Sequence, residues 1–356
     1  MATVITNLLS AIPVFGQDIV ELKNVTEIFS SYPLKNEITI TTLLPTIGTV
    51  SNHALKKGKK IRIDKKEYLS IPYQFVAFLA GFIDGDGYFQ ITKTTKGFIT
   101  IKLKIVLQLE DLSTLEYIQS ILKLGKLNIY RDYKNPICSL TINKTDLQEV
   151  IFPLFLHHGI FFLTEARRTQ FDLTMFILKK DIKFFDKINF NTFSLPNIKE
   201  VGCCLLAKQS AASDIMQGNK KFSNIPTIFI LPKTALDYVK LPFFNNWLIG
   251  FTTAEGSFFI KNNKDGCFQL KQKIHVQLFE AFKLIFNSNK KIVTVALQQD
   301  KFNQFSVSSK NDIQSVINFF SFSGFHPLIG LKYIQYLKWI SNLKNSYRYS
   351  NLKFPQ

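Results

Sequence analysis

From Tyr73 to Asp86 the chain is apolar almost without interruption, with the small residues Ala80, Gly81 and Gly85 set along it. The run is too short to span a bilayer and reads as a buried helix. Tyr88–Thr95 and Phe98–Leu109 then alternate with the two-residue period of a half-buried sheet. Asp111–Leu124 is helical, with Gly125 as its stop. Leu127–Arg131 and Ile137–Ile142 read as short strands. Asp146 is placed as the N-cap, and Glu149 at the capping-box position, of a helix running to about His157. A last helix covers Glu165–Lys179. From Asn245 to Asn342 the same order returns, with a shorter or irregular second strand around Phe268–Lys273. Residues 183–238 are interspersed with Asn, Ser and Pro and show no sustained period. They read as a linker with one short helix near Val201–Gln209.

The return is a duplication. Phe78-Leu-Ala-Gly-Phe-Ile-Asp-Gly-Asp-Gly-Tyr-Phe89 and Trp247-Leu-Ile-Gly-Phe-Thr-Thr-Ala-Glu-Gly-Ser-Phe258 share five of twelve positions, and acid stands for acid at Asp86 and Glu255. Asp146-Leu-Gln-Glu-Val-Ile151 recurs as Asp312-Ile-Gln-Ser-Val-Ile317, and Arg167-Arg-Thr-Gln-Phe-Asp-Leu173 as Lys332-Tyr-Ile-Gln-Tyr-Leu-Lys338. The offsets are 169 (86 to 255), 166 (146 to 312) and 165 (170 to 335). Near-constant spacing over three segments is the mark of an internal repeat. The layout is therefore an N-terminal segment 1–22, a basic linker 23–72, repeats at 73–182 and 239–356, and the linker 183–238 between them.

Composition narrows the partners. Forty-four Lys and Arg against 26 Asp and Glu give a net charge of +18, and 35 Phe in 356 residues argue for packed globular structure. A chain this basic calls for a polyanion, DNA, RNA or an anionic membrane surface; an A+T-rich gene also produces such a composition. No apolar stretch is long enough for a membrane span, so no membrane role is expected. The four cysteines form no CxxC pair and point to reduced thiols, neither a zinc site nor a disulfide framework. Lys56-Lys-Gly-Lys-Lys-Ile-Arg-Ile-Asp-Lys-Lys66 reads as a solvated tether rather than a dedicated RNA-binding arm.

Each apolar helix ends in one carboxylate followed by glycine. Gly81, Gly85, Gly250 and Ala254 allow the two helices to approach closely, which would bring Asp86 and Glu255 to one axis. Adjacent carboxylates repel unless cations neutralise them, and oxygen ligands without His or Cys favour Mg²⁺ or a similar hard ion. Such ions activate water and stabilise a leaving phosphodiester oxygen. Seen once, Gly-Asp-Gly is usually a helix-to-strand turn; seen twice in register, it points to chemistry. Beyond the acids, Tyr88, Gln90, Thr92, Lys102 and Lys104 share one sheet face, as do Ser257, Phe259, Lys261, Gln269 and Lys271. These faces suit a major-groove reader, lysines on phosphates and amides on base edges, although any solvated sheet face is polar.

Leu79-Ala-Gly-Phe-Ile-Asp-Gly-Asp-Gly87 and Leu248-Ile-Gly-Phe-Thr-Thr-Ala-Glu-Gly256 resemble the two signature helices of a single-chain LAGLIDADG homing endonuclease, a likeness covering about residues 73–350. The resemblance implies an α+β fold of two pseudo-symmetric αββαββα repeats, with saddle-shaped antiparallel sheets and the motif helices packed between them. It implies a monomer that cuts both strands of a long double-stranded DNA target with two or more Mg²⁺ ions. Asp86 and Glu255 would hold the metal, assisted by the carbonyls of Gly85 and Ala254. Lys332 and Arg167 would stand near the scissile phosphates, and arginine there is a poor general base. Gln272 resembles a water-organising residue. Thr252-Thr253 departs from the family's apolar-acidic pair, present here as Ile83-Asp84.

Residues 2–20 are similar to an internal segment of mitochondrial cytochrome b. That likeness implies a mitochondrial, organelle-encoded reading frame within a group I intron, a target near the cytochrome b exon junction, and a maturase role on the host intron RNA. Two other readings stay open: a splicing-only, RNA-binding maturase that has lost cleavage, and a DNA-binding regulator on the same scaffold.

Overall fold

The computed structural model describes residues 64–188, 232–297 and 300–356. The cytochrome b-like segment, most of the basic run 56–66 and the helix expected near Val201–Gln209 lie outside them. The first repeat runs α1 (Tyr73–Asp86), β1 (Gly87–Lys93), β2 (Ile99–Gln108), α2 (Leu112–Leu122), β3 (Lys126–Tyr130), β4 (Ile137–Asn143), α3 (Phe152–His157) and α4 (Glu165–Lys179). The second runs α5 (Ala235–Val239), α6 (Phe244–Glu255), β5 (Gly256–Ile260), β6 (Gly266–Lys273), α7 (Val276–Ile285), β7 (Val293–Leu297), β8 (Asp300–Val307), α8 (Lys310–Ile317) and α9 (Gly330–Lys344). Both sheets are antiparallel and four-stranded, ordered β1-β2-β4-β3 and β5-β6-β8-β7. The α+β fold of two matching repeats is thus as the sequence predicts, and both repeats belong to one compact unit.

Alternation along the strands decides which face is buried. Phe89, Ile101, Leu103, Ile105, Leu140 and Ile142 point into the first core, and their neighbours face outward. Phe89 meets Phe162 at 5.5 Å and Phe171 of α4 at 6.2 Å. In the second repeat Phe258, 169 residues on, meets Tyr336 and Trp339 of α9 at 5.0 and 5.3 Å. Burying one such ring contributes about 1.5–3 kcal/mol, so these aromatics fasten each final helix to its sheet.

The repeats join through α1 and α6. A Cβ on Gly81 would overlap the Trp247 carbonyl oxygen and stand 2.9 Å from the Phe251 amide nitrogen. One on Gly250 would overlap the Phe78 carbonyl oxygen and stand 2.8 Å from the Phe82 amide nitrogen. The contacts are two-fold related, because each of these residues lies 169 from its counterpart. Only glycine permits backbones this close. Beside them, His326 of the second repeat stacks 4.1 Å from Phe78 and meets Tyr117 Oη through Nε2 at 3.2 Å.

Three local expectations are corrected. Asn143, not Asp146, caps the helical run after β4: its Oδ1 accepts from the Asp146 N–H at 3.0 Å, and its Nδ2 donates to Asp146 Oδ2 at 2.8 Å. The acid is the more distant partner of the cap, and a π turn at Leu147–Ile151 follows before α3. Strand β6 is shorter than β2, eight residues against ten, as expected, but it is not irregular, because Phe268 and Leu270 both find core places. Part of the stretch read as linker is structured. Thr234 and Asp237 form a capping box for α5, and Gln277 of α7 accepts from the Ala235 N–H at 3.0 Å. Cys138 and Cys267 are buried and unpaired, and no helix among the described residues is long and apolar enough to cross a membrane.

Candidate active site and sheet faces

Helices α1 and α6 terminate on their acids and pass directly into strands. The Gly87 and Gly256 N–H groups close on the Ile83 and Thr252 carbonyls, while their own backbones are already extended. A side chain at 87 would stand 2.9 Å from Ile83 Cα, so glycine follows the acid to let the chain turn. The Phe89 N–H, which in a continued helix would close on the Gly85 carbonyl, donates to Gln170 Oε1 at 3.0 Å. Gly85 packs against Ala254 and Glu255 at the end of the helix pair, which brings Asp86 and Glu255 close enough for their charges to oppose.

The electrostatics follow from burial. Asp86 is pushed up to about 7, chiefly by desolvation, then by the Glu255 charge; Lys332 and Arg167 offset part of this and Asp111 adds to it. Among the described residues no hydrogen bond reaches the Asp86 carboxylate. Glu255 is also raised by burial, but Gln272 Nε2 donates to its Oε1 at 2.8 Å and moderates the shift. Burial lowers both bases, Lys332 and Arg167, against the pull of the acids. Lys332 Nζ donates to the Gly256 carbonyl and, at 3.2 Å, to Gln335 Oε1. Arg167 Nε donates to the Ile83 carbonyl at 3.3 Å and Nη1 to Gln170 Oε1 at 3.2 Å. Each base is thus steadied by a glutamine three residues later on its own helix.

This donor set fits a hard divalent cation. Two half-buried carboxylates stay under-neutralised even with two bases nearby. No cluster of three or more His, Cys, Asp or Glu able to hold a metal occurs among the described residues, so carbonyls, water and phosphate oxygens would complete the coordination. Asp86 and Lys332 line an open cleft of about 710 Å³ with Asp111, Gln108, Phe259 and Lys338.

The sheet register places the outward residues. Tyr88 pairs with Lys104 and Gln90 with Lys102, while Thr92 sits across from Thr100, all on one face. In the second sheet Ser257 pairs with Gln269, Phe259 with Cys267, and Lys271 with Gln304. Lys261 follows β5 and reaches Ser308 Oγ at 3.3 Å, and Lys271 Nζ lies 4.9 Å over the Phe302 ring. Gln272 takes the opposite side, toward Glu255.

Strands β3, β4, β7 and β8 add residues that the sequence reading did not single out. Thr141, Asn143, Ser139 and Asn128 share the face of Lys102 and Lys104. Ser306, Gln304, Phe302 and Val293 share that of Gln269 and Lys271. Alternation in β4 and β8 carries that signal. The two faces differ: Gln90 and Lys102 of the first correspond to Phe259 and Cys267, and Asn128 to Val293, so the second face is the more apolar.

Asp84 is a structural acid that the sequence marks only by its absence from the second copy. It is fully buried, and it accepts from Leu163 N–H at 2.7 Å, Thr164 N–H at 3.2 Å, Thr164 Oγ1 at 2.6 Å and, across the interface, Trp247 Nε1 at 2.8 Å. Burial raises it to about 6 against the pull of these donors. Its counterpart Thr253 donates only to the Ile249 carbonyl of its own helix, at 2.9 Å, and the neighbouring Thr252 hydroxyl has no partner among the described residues.

A sequence profile described as LAGLIDADG endonuclease matches residues 79–161 and 248–343, together just over half of the 356 residues. A lysine-to-alanine mutant of I-SmaMI superposes with a TM-score of 0.51 at 20% identity, over 76% of this chain and 91% of that one. The LAGLIDADG meganuclease I-CpaMI bound to uncleaved DNA gives 0.51 at 19% identity, over 78% and 94%. I-SmaMI bound to uncleaved DNA target in the presence of calcium ions gives 0.50 at 19% identity, over 76% and 91%. At such identities the likeness establishes the fold.

Proposed function

The chain belongs to the LAGLIDADG endonuclease family, and on that footing we propose that it cuts double-stranded DNA at one specific site, each repeat serving one strand. The carrying observation is the meeting of Asp86 and Glu255 at the ends of two touching helices, with Lys332 and Arg167 beside them. Asp86 and Glu255, with the carbonyls of Gly85 and Ala254, would hold two or more divalent ions, of which Mg²⁺ best suits an oxygen-only set. Bound there, the ions supply charge neutralisation and water activation at the phosphodiester. Gln272 fixes the Glu255 carboxylate through Oε1. Lys332 and Arg167 bind phosphate charge, and Lys332, lowered by burial, can also release a proton where Arg167 cannot. Tyr88, Gln90, Thr92, Lys102 and Lys104 on one sheet, and Ser257, Phe259, Lys261, Gln269 and Lys271 on the other, contact bases and phosphates.

Incubation with Mg²⁺ and DNA spanning the intronless cytochrome b exon junction tests this reading; a double-strand break is the expected result. Asp86→Asn and Glu255→Gln should each abolish the break while leaving binding largely intact. Cutting retained in either variant would contradict the metal assignment. Binding should weaken steeply with added salt, as phosphate neutralisation requires.

The likeness of residues 2–20 to cytochrome b supports a finer reading, in which the protein acts in the mitochondrial matrix and assists splicing of its host group I intron RNA. Precursor RNA spliced equally well with and without the protein would refute that role. Tight binding to the junction DNA with no cleavage would favour a splicing-only maturase.

A further inference from the structure

We propose that Asp111 of the first repeat is a positioning residue for Lys332 of the second, holding the start of α9 from across the repeat boundary. The proposal rests on the DNA-cleaving reading above. Asp111 stands immediately before α2, where an aspartate ordinarily accepts from its own helix's first N–H groups. Here it makes no such cap bond. Its Oδ1 accepts instead from the Leu331 N–H at 3.0 Å, and from Thr114 Oγ1 at 2.7 Å. Leu331 is the residue before Lys332. The N-cap of α9, Ile329, provides no side-chain cap, so the Asp111 carboxylate satisfies an N–H of the first turn that lacks an intrahelical partner.

The two repeats show why α9 needs an outside anchor. In the first, the start of α4, three residues before Arg167, is tied to α1 by the three bonds from Leu163 and Thr164 to Asp84. In the second, the place of that acid is taken by Thr253, which bonds its own helix. The start of α9 is therefore without a motif acid, and Asp111 takes its place in trans. The N-cap of α7, His275, meets the backbone of Leu163 in the first repeat, so both repeats brace one another here, but only Asp111 brings a carboxylate. Gly330 allows the approach: its φ is +58°, and a Cβ there would overlap Thr114 Oγ1 and Asp111 Oδ1. Asp111 also lines the cleft that holds Asp86 and Lys332.

Strand-resolved cleavage of a supercoiled plasmid carrying the target separates this role from general damage. Asp111→Ala should slow the cut on one strand by on the order of tenfold to a hundredfold, accumulating nicked circles, with target binding and the other cut close to wild type. Asp111→Asn keeps an acceptor oxygen and should restore the slow cut. Equal slowing of both strands, an unaffected Asp111→Ala variant, or an Asp111→Asn variant as impaired as Asp111→Ala would each overturn the proposal. Hydrogen exchange on the free protein decides the anchoring without any DNA chemistry: amides at the start of α9 should exchange faster in Asp111→Ala and not in Asp111→Asn. Unchanged exchange overturns the anchor, whereas a wild-type protein that cuts no strand while α9 loosens as described overturns the cleavage reading alone.

Discussion

Replacing Asp86 with asparagine is expected to stabilise the cation-free protein while ending catalysis. The carboxyl moves from 3.8 in the unfolded chain to about 7 in the fold, so the folded state holds the proton more tightly. Stability contributed by that proton is present at low pH and is lost as pH rises from about 4 through about 7. At about 1.4 kcal/mol per pH unit, the ionised form costs on the order of 4 kcal/mol above pH 7. That figure is a ceiling, because Lys332 and Arg167 lose an anionic neighbour in the variant. Wild type and Asp86→Asn should therefore be equally stable near pH 4 and diverge with rising pH. In chelator at pH 8 the variant should lead by several kcal/mol, or on the order of 5–10 °C in Tm for a domain of this size. Added Mg²⁺ should stabilise only the wild type, by about 2.7 kcal/mol at a hundred times the dissociation constant. Urea midpoints at pH 4, 6 and 8, with and without Mg²⁺, measure all of this. A gap independent of pH, or no gain in chelator at pH 8, would refute the electrostatic account. Glu255→Gln should gain less, since Gln272 already stabilises that carboxylate.

Alanine at Gly81 or Gly250 should cost at least about 3 kcal/mol, because the new methyl meets main chain that cannot yield. The two losses should be similar, and a urea midpoint near wild type for either would show that α1 and α6 are not in that contact. Asp84→Asn sets an amide NH₂ among four donors and should cost about 3–5 kcal/mol. Denaturation followed by tryptophan fluorescence measures it; a cost under about 1 kcal/mol would mean that the four bonds do not anchor this end of the helix pair. Deoxyuridine in place of thymidine, which removes only the 5-methyl group, should weaken binding more in the half-site under Phe259, Phe302 and Val293 than in the half under Gln90, Lys102 and Asn128. Equal losses in both halves would mean that the apolar face does not read thymine methyl groups.

What the sequence made legible, and what it hid, separates along a physical line. Period and duplication are local or translational signals, and they gave α4 its full extent, Glu165–Lys179, and the pairing of Asp86 with Glu255. Close packing was readable too, because Gly81 and Gly250 are explained only by a partner helix that touches their backbones. Hidden were the interactions that break the symmetry. Asp111 looks like an ordinary helix cap, and only the fold reveals that the N–H it accepts lies 220 residues away. The loss of an acid at Thr253 is visible in the sequence, but its consequence is not, since compensation comes from the other repeat. Once a duplicated site loses one of its paired acids, the remaining copy cannot supply the missing bond, because Asp84 already serves four donors. The replacement must come from a residue that the repeat pattern does not mark. In this fold, departures from the repeat are therefore the places to look for residues that act on the opposite half.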